Sequence, residues 1–306
     1  MVSGQYAVSR QQLAVAKPLT PDSWPLTPNC PLLSAIHLTQ FMKFWYNTQR
    51  RRPKGRGHRD AEKVLRLERR VPAALAFMMD DKTLSVFVDE SGNLSCARDS
   101  SRFYIVSLVL HDQSDAIDCL ARELDSAYDS MGLSNLCFLA GPIIRREEGY
   151  EYMNWELRSR IFAKMMAFAR RAPFRYRCLC VDKNFARSEE QVIARLEAGF
   201  CEFLDSISVL PGIGRIKVYY DCGQTALTKV IHSAMSSRFG DEWDFAQGVR
   251  PSRYRLFQVA DLVCTVSLID RKLAEGLPMT KSEDAFFGGP RNFKRKVLKP
   301  LLRKRM

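Results

Sequence analysis

"LSVFVDESGN", Leu84 to Asn93, carries an apolar strand directly into two carboxylates and then a Ser-Gly-Asn turn. Leu84, Val86, Phe87 and Val88 supply apolar side chains on both sides of the chain, so Leu84–Asp89 is expected to be a central strand, covered on both faces. The turn leads into "RFYIVSLVL" (102–110), a second strand expected to lie antiparallel to the first. Beyond it, helical and strand patterns alternate. Helical spacing covers Asp115–Met131, Asn154–Arg171 (ended by Pro173), Ser188–Ile207, Ala226–Phe239 and Leu256–Lys272. "FRYRCLCVDK" (174–183) and "RIKVYYD" (215–221) read as further strands, and "NLCFLAGPIIRREEGYEY" (135–152) as a strand broken into a loop at Gly-Pro. Ser188 with Gln191 has the spacing of a capping box, followed by acids that suit a helix dipole. The pattern predicts an α/β fold: a mixed sheet, begun by a hairpin and flanked by helices.

The segments on either side differ in character. Residues 1–80 read as a basic, weakly ordered extension: "KPLTPDSWPLTPNCP" is punctuated by proline, "LLSAIHLTQFMKFWYNTQ" spaces as a short helix, and "RRRPKGRGHRD" is a broken basic linker. "AEKVLRLERRVPAALAFMM" returns to helical spacing as far as Pro72, and Met78-Met79 mark a possible native start just ahead of the first strand. Residues 81–290 form the main domain, and 291–306 a basic C-terminal tail. Residues 43–70 hold 11 Lys or Arg against 3 acids, and 291–306 hold 8 against none. With a net charge of +13 overall, the stretch between is mildly acidic. Basic ends around an acidic body suit a phosphate backbone, since each cation that neutralises a phosphate releases counterions; solubilising tails are the plainer alternative.

At 46% hydrophobic and 26% charged, the 306-residue chain reads as soluble and globular. No apolar run reaches membrane-spanning length, because "LFQVADLVCTVSLI" is too short and contains Asp261. The amino terminus lacks a secretory leader pattern, and the nine cysteines are scattered without a CxxC pair, which suits reduced thiols in a cytoplasm. Cys178 and Cys180 share a strand face, where core packing is the expected role. Cys222, beside Asp221, has no partner His nearby in sequence and is a poor nucleophile candidate.

Three strands end alike, "VFVDE" at Asp89-Glu90, "CLCVDK" at Asp182 and "KVYYD" at Asp221. A strand-end Asp is ordinarily a turn former. In α/β sheets, however, ligands sit outside the carboxyl ends of strands, so three such ends point to one site. A fourth acid, Asp261, interrupts the apolar helix "LFQVADLVCTV" and shares a face with Gln258. Burying that carboxylate is costly without a cation, and no Lys or Arg lies within one turn. All-oxygen donors select Mg²⁺ or Mn²⁺ over zinc, and two such ions about 3.5–4 Å apart serve in-line displacement at phosphorus. Asp89, Asp182, Asp221 and Asp261 are the candidate metal ligands; Asp89, Glu90, Asp221 and Asp261 the candidate catalytic residues. Arg145 in "RREE", and Arg253, Arg255 and Gln258 in "RPSRYRLFQ", are candidate substrate contacts. There is no Walker loop, no GxGxxG after a strand and no GxSxG elbow.

"VFVDESGN", "YYD" and "FQVADLV", in that order, resemble the bacterial family described as domain of unknown function 3800, over roughly Leu84 to the C-terminus. The resemblance implies a ribonuclease H-like fold and a metal-dependent nuclease, often near mobile-element or phage-defence genes. It carries Asp89 and Glu90 from the DESG element, Asp221 from the strand end, Gln258 and Asp261 from the QxAD element, and Asp182 more loosely. Some relatives place a His ahead of the Gly-Pro loop, where this chain has Leu139 in "CFLAGP". The implied reaction is hydrolysis to a 3′-hydroxyl and a 5′-phosphate. The alternative reading is a non-catalytic module that binds nucleic acid or protein on the same fold.

Overall fold

The computed structural model describes residues 82–97, 101–208, 210 and 212–306. The predicted extension 1–80, with its helical and basic segments, lies outside the described residues.

The strand read from "LSVFVD" lies within β1 (Lys82–Ser91), at the centre of a five-stranded sheet in the order β3-β2-β1-β4-β5. β2 (Phe103–Asp112) runs antiparallel to β1, and β3 (Arg175–Asp182) antiparallel to β2. β4 (Ile213–Tyr219) and the short β5 (Trp243–Phe245) continue the other side in parallel pairings. β1, β3 and β4 therefore point the same way, and their carboxyl ends emerge along one edge of the sheet.

Side chains alternate between two cores. Phe87, Val109, Tyr176 and Tyr219 face one core, built with α1 (Asp118–Asp129), α2 (Ala140–Arg145), α3 (Trp155–Arg171) and α6 (Arg255–Ala274). Val86, Val88, Leu108, Val218 and Tyr220 face the other, closed by α4 (Glu189–Ile207) and α5 (Thr225–Phe239). Covering both faces makes β1 apolar throughout its middle. Among the described residues no helix is long and apolar enough to cross a membrane.

Several local expectations are revised. The 135–152 stretch holds α2 rather than a strand, because Pro142 lies in the first helical turn, where its missing N–H leaves nothing unsatisfied. Arg146, in the left-handed region at φ 66°, ends that helix. At α4, Ser188 is the N-cap but its side chain does not cap; Gln191 Oε1 reaches one residue further back and accepts from Arg187 N. Cys178 packs toward α6, whereas Cys180 is exposed, since β3 is an edge strand.

The basic segment 291–306 folds as α8 (Pro290–Phe293), a π-turn (Lys294–Leu298) and α9 (Lys299–Leu302), following α7 (Lys281–Phe287). Phe293, Val297, Leu298 and Leu301 are buried in the first core. The chain end then docks on β3, where Lys304 O accepts from Tyr176 N and Met306 N donates to Tyr176 O.

Candidate functional site

Asp89 pairs across the hairpin with Ser107, on the α6 face of the sheet. Ser107, fully buried, donates its hydroxyl to Ala260 O at 2.8 Å and so holds α6 against the strands one residue before Asp261. Asp261 Oδ2 accepts from Ala140 N, the first residue of α2, at 2.5 Å. Arg158 supports that short helix from below, donating to Ile143 O at 2.6 Å and Ile144 O at 3.3 Å. Neither Ser107 nor Arg158 is distinguishable in sequence from an ordinary strand serine or helix arginine.

Glu90 leaves β1 on the opposite face, by strand alternation. Its Oε1 accepts from Tyr220 Oη at 3.0 Å, and Tyr220 Oη accepts in turn from Gln224 N at 2.8 Å. Its Oε2 is buried and has no hydrogen-bond partner. Asp221 stands at the end of β4 in a tight turn, where its Oδ1 accepts from Gly223 N at 3.1 Å and Cys222 takes φ 65°. A side chain at Gly223 would bring a Cβ to 2.9 Å from Glu90 Oε1 and 3.4 Å from Asp221 Oδ1. A side chain there would push the Glu90 carboxylate aside, so glycine leaves room for these two carboxylates to draw together. Gly92, of the "ESGN" turn, has φ 96° and its absent Cβ would meet Phe103 O at 2.8 Å, so this turn too depends on glycine.

The four acids feel one another. Burial, then the charges of Asp261, Glu90 and Asp221, raise Asp89 well above the usual carboxylate range. Burial chiefly, and Asp221 in part, raise Glu90 to about 7 against the pull of Tyr220. Burial raises Asp261 to about 6, opposed by the Ala140 N–H and by Arg145. Each shift marks the cost of a charged form that lacks enough positive charge nearby.

Asp182 stands apart. It ends β3, and β2 intervenes between β3 and β1. Arg102 grips it in a bidentate pair at 2.6–3.1 Å, and Asn184 N donates to it as well. Arg102 holds its pKa below the usual carboxylate range, so the Asp182 charge is already paired. The adjacent Lys183 donates to Asn93 O, Asn93 Oδ1 and Ser95 O, tying the chain after "DESG" to the end of β3. "VDK" thus fastens a loop.

Two of the predicted substrate contacts are also scaffold. Gln258 is fully buried; its Oε1 accepts from Phe138 N and Arg255 Nη1, and its Nε2 donates to Pro251 O. Arg255 spans to Asp125 at 2.5 and 2.9 Å and to Leu136 O at 2.9 Å. Together they fix the start of α6 and the strand-like approach to α2, which sets the position of Asp261. Arg253 is exposed, beside a cavity of about 690 Å³ between α1 and the start of α6 that the four acids do not line. Arg145 remains next to the site: it is the cation that moderates Asp261, and it also pairs with Glu147 at 2.7 Å.

Asp89, Glu90, Asp221 and Asp261 are thus brought together, although no group of three or more His, Cys, Asp or Glu among the described residues closes into metal-holding geometry. Mutual repulsion opposes closer approach: two carboxylates at 4 Å cost about 4 kcal/mol at an effective dielectric of 20. By donor type and by the orphaned Glu90 Oε2, the residues fit a hard divalent cation. No protein-family model matches the chain, and no curated protein matches it.

Proposed function

We propose that the protein is a Mg²⁺- or Mn²⁺-dependent nuclease, or a related phosphoryl hydrolase acting on nucleic acid, on a ribonuclease H-like fold. The observation that carries the reading is the convergence of Asp89, Glu90, Asp221 and Asp261: burial, and then the charges of the other three, make Asp89 a weaker acid than an ordinary carboxylate. The fold assignment is supported by the plan of the acids: one on the central first strand, one at the end of the parallel strand beside it, and one on the last long helix. Asp89, Asp221 and Asp261 would hold the cation. When bound, such ions supply Lewis acidity at a phosphoryl oxygen and make a water more acidic. Glu90, half protonated near pH 7, is suited to hold or release a proton at Oε2. Arg145 would face the anionic substrate beside Asp261. Asp182, Gln258 and Arg255 hold the frame.

The test is cleavage of single-stranded, double-stranded and hybrid substrates in Mg²⁺ or Mn²⁺, with EDTA and Asp89→Asn controls. Metal-dependent cleavage that falls to background in Asp89→Asn is expected. Equal cleavage by the variant assigns the activity to a contaminant. The second reading, a non-catalytic binding module, is favoured by the open arrangement of the carboxylates; it predicts binding without cleavage.

A further inference from the structure

The C-terminal segment, read from sequence as a tail, is a fixed element with two sides. Most of its apolar side chains are spent on the core: Phe293, Val297, Leu298 and Leu301 are buried, while Leu302 and Met306 are exposed. The other side presents Arg291, Lys294, Arg295, Lys296, Lys299 and Arg303, every one exposed. Among the described residues none of these six forms an ion pair, whereas elsewhere arginines such as Arg171 and Arg215 pair with acids, Glu123 and Asp244. Two more arginines are drawn to this surface through its backbone carbonyls. Arg170 Nη2 donates to Lys296 O at 2.9 Å, and Arg175 Nη1 donates to Arg303 O at 3.2 Å. The segment is pinned at its far end by the Tyr176 hydrogen bonds and by Lys304 Nζ, which donates to Ala172 O at 2.6 Å.

Holding this many like charges on one short element costs repulsion, and the fold supplies no acid to relieve it. We infer that this face is a preformed track for a phosphodiester backbone. Six exposed cations on a helical element match a regularly spaced polyanion. An anionic membrane is the poorer partner, because four of the segment's apolar residues face the core and only Leu302 and Met306 remain exposed to enter a bilayer. The inference shares its class of partner with the proposed function and rests on that reading for it. It does not use the carboxylates.

The test is fluorescence anisotropy on the full chain in EDTA, with a 20-base-pair DNA duplex and an RNA duplex of the same sequence, over a fourfold range of salt. The variants are Lys294→Gln/Lys296→Gln/Lys299→Gln and the same three positions changed to Arg. Each lost phosphate contact lowers the slope of log K against log salt by about 0.9, so three lower it by about 2.7. The weakening of binding across the fourfold salt range should then be about 40-fold smaller in the Gln variant than in wild type. The Arg variant should keep the wild-type slope. On unmodified protein, either duplex should shield Lys294, Lys296 and Lys299 from acetylation. A Gln variant with wild-type affinity and slope overturns the inference and moves binding to other cations, such as those of 43–70. Shielding by anionic phospholipid vesicles but by neither duplex also overturns it. Wild-type salt dependence and shielding with no metal-dependent cleavage would overturn the carboxylate reading and leave the track in place.

Discussion

At the residue scale, the four acids have different neighbours and hence different duties. Asp89 on β1 feels the charge of Asp261 on α6, while Glu90 turns to the far side of the sheet and is held by Tyr220. Gln258 is the sharpest departure from the sequence reading. Spaced three residues from Asp261, it looks like a ligand-facing amide; in the structure its amide is saturated by Phe138, Arg255 and Pro251. Truncating it strands a buried backbone N–H and a carbonyl, each costing about 1–3 kcal/mol. Gln258→Ala should therefore lose about 2–4 kcal/mol in urea unfolding, and its cleavage rate should fall through misplacement of Asp261. An unchanged unfolding midpoint with lost activity would return Gln258 to the substrate.

At the element scale, strand order and burial explain what was legible. Apolar runs closed by acids identified β1, β3 and β4 because all three run the same way, which aims their carboxyl ends at one edge. Chain direction alone did not reveal that β2 separates Asp182 from the rest, nor that Arg102, eighty residues away, neutralises it. α2 was misread because Gly-Pro resembles a break, although proline is well placed in a first turn. The amphipathic pattern in 291–302 was hidden by its density of positive charge. Lys183 gives the element-scale prediction. It supplies charge-assisted hydrogen bonds to Asn93 and Ser95, each worth about 1.5–3 kcal/mol. Lys183→Met should speed amide hydrogen exchange in 92–97 at least tenfold while leaving α4 and α5 protected. Uniform loss of protection would mean that Lys183 holds the fold, beyond the loop alone.

For the whole molecule, the acids make stability depend on pH in a definite direction. Glu90 and Asp261 titrate near 7 and near 6 in the folded protein, above their ordinary values of 4.5 and 3.8, and Asp89 is raised as well. The folded state thus binds more protons than the unfolded one between about pH 4 and 7, so stability falls as pH rises through that window. Below it, the lowered groups Asp112 and Asp182 lose their ion pairs, which places the optimum near pH 4. In EDTA, melting at pH 8 should lie roughly 5–10 °C below melting at pH 5, a loss of about 3 kcal/mol. Asp89→Asn should remove much of that difference, and a flat profile would mean that the acids are not coupled. A divalent cation that neutralises them should reverse the trend, raising the melting temperature more at pH 8 than at pH 5. The direct measurement is titration calorimetry with Mn²⁺ at pH 7.5 on wild type and Asp89→Asn. Saturable uptake by wild type, lost or weakened at least tenfold in the variant, is the predicted result; no uptake by folded wild type even with a nucleic-acid duplex present, or equal uptake by both proteins, would contradict it.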